Sequence, residues 1–168
     1  MEVGGKVECA VAAKRMWKAA FEDGHTCMPK AVTHAISHVS YDGPGFSQGS
    51  LRTIHLHRSY AEHLSQEQHP QHVVYHVKEQ LEKVDPQNFK MKGKFLEGGF
   101  LNILVKKYTQ SVHIEGTSPN TCIVHWYVEY EALSEEHQAH ILTVFQELVP
   151  LGYKAIESYL LSHDDYKE

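Results

Sequence analysis

The sequence predicts an α+β fold in which an antiparallel sheet curves around one long C-terminal helix. Three observations lead there. Over residues 134–162, Ile141, Phe145, Leu148, Gly152, Ile156 and Tyr159 recur every three or four positions, and Leu142, Val149 and Leu160 widen the same stripe. Before that stretch, four strand-like segments follow one another with only short turns between them, the pattern of an antiparallel meander. The other helical patterns lie near the N-terminus and are short. A helix about 42 Å long and apolar on one face needs an equally long surface to cover it, and the strands supply one.

The elements follow in order. Residues 3–11 alternate weakly through Val3, Val7, Cys9 and Val11 and read as a first strand. Residues 12–23 are rich in helix formers, with Met16, Trp17, Ala20 and Phe21 on one side and Gly24 as the stop. Residues 26–34 read as a second short helix, with Thr26 as its cap and Pro29 in its first turn. Residues 36–41 and 51–57 form a hairpin around a glycine-rich turn. Residues 59–70 are polar and are expected to form the longest loop. Strands are then expected at 72–84, 89–96, 103–115 and 121–130, separated by turn formers at 85–88, 97–99 and 116–120. In the last helix Ser134 is expected to cap the first free amides, Glu135 and Glu136 to complement the dipole, and Pro150 to bend the axis.

Composition bounds the function. The 168 residues suit one domain, 1–168, with a real core. A net charge of −5 gives no electrostatic case for nucleic acid or membrane surfaces, and no apolar run approaches a membrane span. Cys9, Cys27 and Cys122 are odd in number and lack CxxC spacing, so a disulfide framework is not expected and a cytoplasmic setting is. The unusual count is 14 His. They read as solvated surface groups, which predicts a weak dependence of stability on pH near neutrality.

Alternation along the strands separates two sheet faces. Leu104, Tyr108, Val112 and Ile114 share one face with Lys106 and Gln110; Cys122, Val124, Trp126, Val128 and Tyr130 form another apolar row; Phe89, Met91, Gly93 and Phe95 oppose Lys90, Lys92 and Lys94. Two readings stand. One is a solid core in which Lys106 snorkels and Gln110 is bonded to a neighbour. The other is a hollow lined by apolar groups with a few polar anchors, and Gly93 on the inner face leans toward it.

Several segments resemble a known family. They are Trp17-Lys18-Ala19 with Asp23-Gly24 and Met28-Pro29-Lys30, Val84-Asp85 with Asn88-Phe89-Lys90, Leu96-Glu97-Gly98-Gly99, and the run from Ala155 to Leu161 before His163. Together they resemble the plant pathogenesis-related class ten proteins, the family of the major birch pollen allergen, within the START-like, helix-grip superfamily. The resemblance implies seven antiparallel strands wrapping the long C-terminal helix, two short helices in a V beneath it, and a large cavity between. Three departures reshape that expectation. The glycine-rich loop reads Gly43-Pro44-Gly45-Phe46-Ser47-Gln48-Gly49, Met91 and Gly93 stand where the family often has tyrosines, and the polar loop before Pro70 is long.

The resemblance also implies binding of cytokinin-, flavonoid- or steroid-like metabolites. The expected lining is Phe21, Met28, Leu56, Tyr75, Met91, Phe95, Tyr108, Val112, Trp126, Leu148 and Ile156, with Lys106, Gln110 and Glu79 orienting the ligand. No cofactor, metal, membrane or nucleic-acid partner is expected, and the chain reads as a monomer or weak dimer. No GxSxG, HExxH or Walker motif is present, and the glycine-rich loop lies between strands, so it reads as a turn. Two family activities remain as alternatives: a weak ribonuclease with acidic residues such as Asp42 or Glu97, and a condensing enzyme using Lys106, Tyr108 and Glu79 inside the cavity. His55 and His57 are expected to share a strand face, near His69, His72 and His76, without a visible third metal ligand.

Overall fold

The computed structural model describes residues 1–68 and 73–168. β1 (Glu2–Cys9) leads into α1 (Ala13–Trp17), which runs on as a π-helical turn (Lys18–Glu22) before α2 (Gly24–Ala31). β2 (Ile36–Asp42) and β3 (Leu51–Leu56) form the hairpin, followed by α3 (Arg58–Gln68). The meander is β4 (His76–Asp85), β5 (Lys90–Gly98), β6 (Val105–Ser118) and β7 (Thr121–Ala132). A 3₁₀ turn (Glu135–His137) then opens α4 (Gln138–Ser162). The strands make one antiparallel sheet in the order β1-β7-β6-β5-β4-β3-β2, so the first strand closes beside the last.

The segment expected to be the longest loop is helical where it is described. Its polar composition hides two local supports. Arg58 and Glu62, one helical turn apart, form an ion pair at 2.8 Å. Tyr60 and Ala61 supply a short apolar patch: Ala61 is buried, and Tyr60 packs on the cluster of Val32, Ala35, Ile36 and Val39. Residues 69 and 70 of that segment lie outside the described residues.

Two caps differ from expectation. The second helix begins at Gly24, behind Asp23, so Thr26 lies inside it. Ser134 has the extended backbone of a cap, yet its hydroxyl meets the His137 ring at 3.2 Å and makes no bond to a helical amide. α4 runs through Pro150, which has no amide hydrogen to give to the turn before it.

α4 packs chiefly against β1, α2 and β7, burying Ile141, Val144, Phe145, Ile156 and Leu160. Its C-terminal half is pinned by polar contacts as well. Lys154 Nζ donates to the Glu8 carbonyl, and Glu157 Oε2 accepts from the Ala10 amide at 2.6 Å. Arg15 on α1 holds the end: Nη2 donates to the carbonyls of Leu160 (2.7 Å) and His163 (2.8 Å), and Nε to that of Asp165 (2.9 Å). A guanidinium here satisfies carbonyls that have no helical partner and faces the negative end of the helix dipole. Arg15→Ala is therefore expected to lower stability by about 2 kcal/mol in urea unfolding, with Arg15→Lys recovering only part of it. An unchanged midpoint for Arg15→Ala would show that packing alone seats the helix end.

Candidate functional site

The interior between sheet and helix is organised by a buried charge pair. Arg52 on β3 and Glu79 on β4 are direct cross-strand partners, and each is only 2% exposed. Arg52 Nε and Nη2 both donate to Glu79 Oε1, at 3.0 and 2.7 Å, and Gln110 Nε2 on β6 donates to Glu79 Oε2. The carboxylate thus spans from β3 to β6, crossing above β5. It can do so because β5 carries Gly93 there: a Cβ at that position would lie 2.0 Å from Glu79 Oε2. Gly93 therefore makes room for a carboxylate, which corrects its reading as a sign of empty space.

The guanidinium also lies against two aromatic rings. Its carbon lies 5.7 Å from the Phe21 ring centroid and 5.3 Å from that of Phe46. Phe46 comes from the glycine-rich loop, whose positive φ at Gly43, Gly45 and Gly49 folds the ring inward against Trp17 and Phe21. Three of the loop's amides are occupied: Gly45 donates to Gly43, Ser47 to Gly45, and Gly49 to Leu81 at 2.7 Å. This loop is a turn that supports the interior, with those three donors engaged and turned away from any phosphate.

On α4, Gly152 lies one helical turn from both Leu148 and Ile156. A Cβ built on Gly152 meets no atom within 4 Å. The next residue, Tyr153, sits near Arg52 and Glu79. Burial pushes its hydroxyl well above the usual range, yet the side chain keeps half-accessible surface. Ile54, Leu56, Phe95 and Gln110 are likewise half-accessible on the inner-face rows of the sheet. Phe95 stacks on Tyr108 with centroids 4.0 Å apart, and the Tyr108 hydroxyl, pushed up by burial, accepts from the Phe100 amide at 3.4 Å.

The expected site residues divide accordingly. Phe21, Met91, Tyr108, Val112, Trp126 and Ile156 belong to the main core, with Phe95 packed on it, while Met28 and Leu56 join the cluster around Ile36 and Val39. Leu148 is half-buried and Tyr75 is 40% exposed on the segment before β4. Lys106 is corrected. Register slips between Val105 and Lys107, so a bulge breaks the alternation and turns Lys106 outward, 56% exposed and 3.4 Å from Glu131. Arg52, Phe46 and Tyr153 were missed. Arg52 had a signal, since it shares a strand face with Ile54 and Leu56; Phe46 and Tyr153 had none beyond aromatic character.

The histidines are more ordered than a solvated surface. His38, His55 and His76 are successive cross-strand neighbours on β2, β3 and β4; His38 and His55 stack at 4.0 Å, and His76 Nε2 lies 3.2 Å from Glu97 Oε2. Desolvation, with His38 and His76 adding to it, holds His55 below its ordinary value. On β6, desolvation, Lys90 and His125 do the same to His113, whose ring stacks on that of His125. β3 ends at Leu56, so His57 shares no strand face with His55; its amide donates to Ala35. His69 and His72 lie outside the described residues. Among the described residues no three His, Cys, Asp or Glu side chains are placed to hold a metal ion, and no helix is long and apolar enough to cross a membrane.

Comparison with known proteins agrees with this architecture. The pattern of the Pathogenesis-related protein Bet v 1 family matches residues 2–163. The chain belongs to that family. It is 29% identical over 158 residues to the major pollen allergen Bet v 1-C of Betula pendula, covering 92% of this chain and 90% of the allergen. It is 32% identical over 165 residues to pathogenesis-related protein 1 of Asparagus officinalis, covering 94% and 92%. Among solved structures, Panax ginseng major latex-like protein 151 superposes with a TM-score of 0.72 at 16% identity, covering 95% of this chain and 96% of that one. Norcoclaurine synthase of Thalictrum flavum, solved with dopamine and hydroxybenzaldehyde, gives 0.69 at 20% identity, covering 97% and 87%.

The buried pair predicts a specific mutational pattern. Glu79→Ala leaves the Arg52 charge buried without its partner and is expected to cost about 3–5 kcal/mol. Replacing both, as Arg52→Met with Glu79→Leu, is expected to cost far less, because no charge then remains buried. A double replacement as damaging as the single one would show that the pair itself, and not its desolvation, holds the sheet.

The lowered histidines set the sign of the pH dependence. Their folded values lie below the unfolded value of about 6.5, so the unfolded chain takes up protons first. Stability is full above that pH and falls as pH drops below it, contrary to the weak dependence expected of solvated groups. Thermal melts from pH 7.5 to 5.5 are expected to show a falling Tm, flattened in His55→Gln/His113→Gln. A flat profile in the native protein would contradict the assignment.

Proposed function

We propose that this Bet v 1 family member binds small amphipathic plant metabolites, of the cytokinin, flavonoid or steroid kind, in the space between α4 and the sheet, as a cytoplasmic carrier. The observation that supports this reading is Tyr153 on α4, desolvated beside Arg52 and Glu79 yet half-buried, next to Gly152, where a Cβ would meet no atom within 4 Å. An aromatic or aliphatic body would lie against Leu56, Phe95, Leu148 and Ile156. Each fully buried side chain's worth of apolar contact is worth about 1.5–3 kcal/mol, so micromolar affinity requires no special chemistry. The Gln110 amide and the Tyr153 hydroxyl are the polar groups placed to orient the ligand.

The condensing-enzyme alternative loses two of its three groups. Lys106 points outward to Glu131, and Glu79 is engaged by Arg52 and Gln110. The ribonuclease alternative is no better placed. Glu97 is exposed and ion-paired, its carboxyl held low by the His76 hydrogen bond and by Lys78.

Gly152→Leu tests the carrier. The substitution suits a helix, since glycine is about 1 kcal/mol worse than alanine there, and its side chain would enter the open space. The native protein is expected to bind an environment-sensitive dye such as ANS, displaced by flavonoids or cytokinins. Gly152→Leu should weaken that binding at least tenfold while preserving the circular dichroism. Equal dye affinity in both proteins would refute an interior site beneath α4, and RNA cleavage lost in Asp42→Ala or Glu97→Ala would restore the nuclease.

A further inference from the structure

We infer that Cys9 and Cys122 form a redox-active dithiol, oxidised to an intramolecular disulfide by hydrogen peroxide. The two residues are direct partners in the β1–β7 ladder and point to the same side of the sheet. Residues opposite each other in an antiparallel pair have Cα atoms about 4.5–5.5 Å apart, within the span of about 4.4–6.8 Å that a disulfide accepts. Both are free thiols in the structure. Both also line one open cavity of about 540 Å³, shared with Thr117, Thr121, Lys154 and Glu157, which gives a small oxidant a way in.

The surroundings of the two thiols differ. In the reduced protein the Cys9 thiol donates to the Val7 carbonyl at 3.9 Å. When Cys9 ionises, the Cys122 thiol can donate to it, and this contact lowers Cys9 below the ordinary thiol value; burial and Glu157 oppose it, while Lys154 adds to it. The same contact, with burial, raises Cys122. Either sulfur can attack and the other resolve it, with the same balance of bonds made and broken. With Cys9 attacking, its thiolate adds to one peroxide oxygen, the O–O bond breaks, and the departing hydroxide takes a proton to leave as water. The resulting sulfenic acid is attacked by Cys122 sulfur, the S–S bond forms, and the sulfenic oxygen leaves as a second water with the Cys122 proton. Two thiols are oxidised and one peroxide is reduced.

The site also bears on α4. Lys154 and Glu157 anchor the helix to the Glu8 carbonyl and the Ala10 amide, the peptide groups on either side of Cys9. Closing the bond therefore acts on the strand end to which the helix is tied. Cys27 is the internal control: burial pushes its thiol up to about 11, and it has no second cysteine across a strand.

The test treats the native, fully reduced chain with stoichiometric hydrogen peroxide and reads intact mass and peptide maps. The expected result is loss of two hydrogens, a Cys9–Cys122 linked peptide, and reversal by dithiothreitol. The cross-link should persist in Cys27→Ser and vanish in Cys9→Ser and in Cys122→Ser. The native measurement stands alone if a variant folds poorly. Oxygen adducts on single cysteines without a cross-link, or an unchanged mass while denatured chain is oxidised, would overturn the inference. It does not depend on what the interior binds.

Discussion

The Glu79 carboxylate constrains the rest of this structure. Burying one charge obliges the fold to surround it, because an unpaired carboxylate in a low-dielectric interior is unaffordable. Arg52 supplies the opposite charge from β3, Gln110 a further donor from β6, and β5 must give up a side chain at Gly93 to let the carboxylate pass. Four strands are thereby tied to one oxygen pair. The obligation spreads outward: Arg52 needs the faces of Phe21 and Phe46, and Phe46 reaches it only because the glycine-rich loop adopts positive φ. A loop that resembles a phosphate cradle in composition is thus explained by the packing of one ring.

Against this rigid wall, α4 is held at its edges. Its apolar stripe is buried against β1, β7 and α2, and its C-terminal half is pinned through Lys154, Glu157 and Arg15. Toward the buried pair it offers the half-buried Tyr153. The helix is thus anchored at its margins, with its centre less closely packed. The polar centre contributes shape and orientation to the interior, with its charges already neutralised by one another.

The outer face of the sheet has chemistry of its own. Rows of cross-strand neighbours place His38, His55 and His76 together, and His113 beside His125. Register, and not the count of histidines, decides which rings meet, and it is His55 and His113 that this crowding and desolvation hold low. The same principle brings Cys9 to Cys122, which lie far apart in sequence. Pairing across strands, and not spacing along the chain, is what brings both sets together.

How much was legible follows from what each signal depends on. The long helix, seven strands, their meander and the short helices near the start could be read directly, because hydrophobic period and turn residues are local properties. Most inward residues were readable for the same reason. The failures are equally physical. Lys106 was placed inside because alternation was extended through a bulge that only pairing with β7 creates. α3 reads as a loop in composition because its support comes from Arg58–Glu62 and from packing on a distant cluster. Gly93 was read as empty space because the carboxylate that fills it comes from another strand. The sequence by itself determined which segments fold and which faces turn inward. The tertiary structure alone decided which charged groups meet, since partner choice depends on strand register and on the cost of leaving a buried charge unpaired.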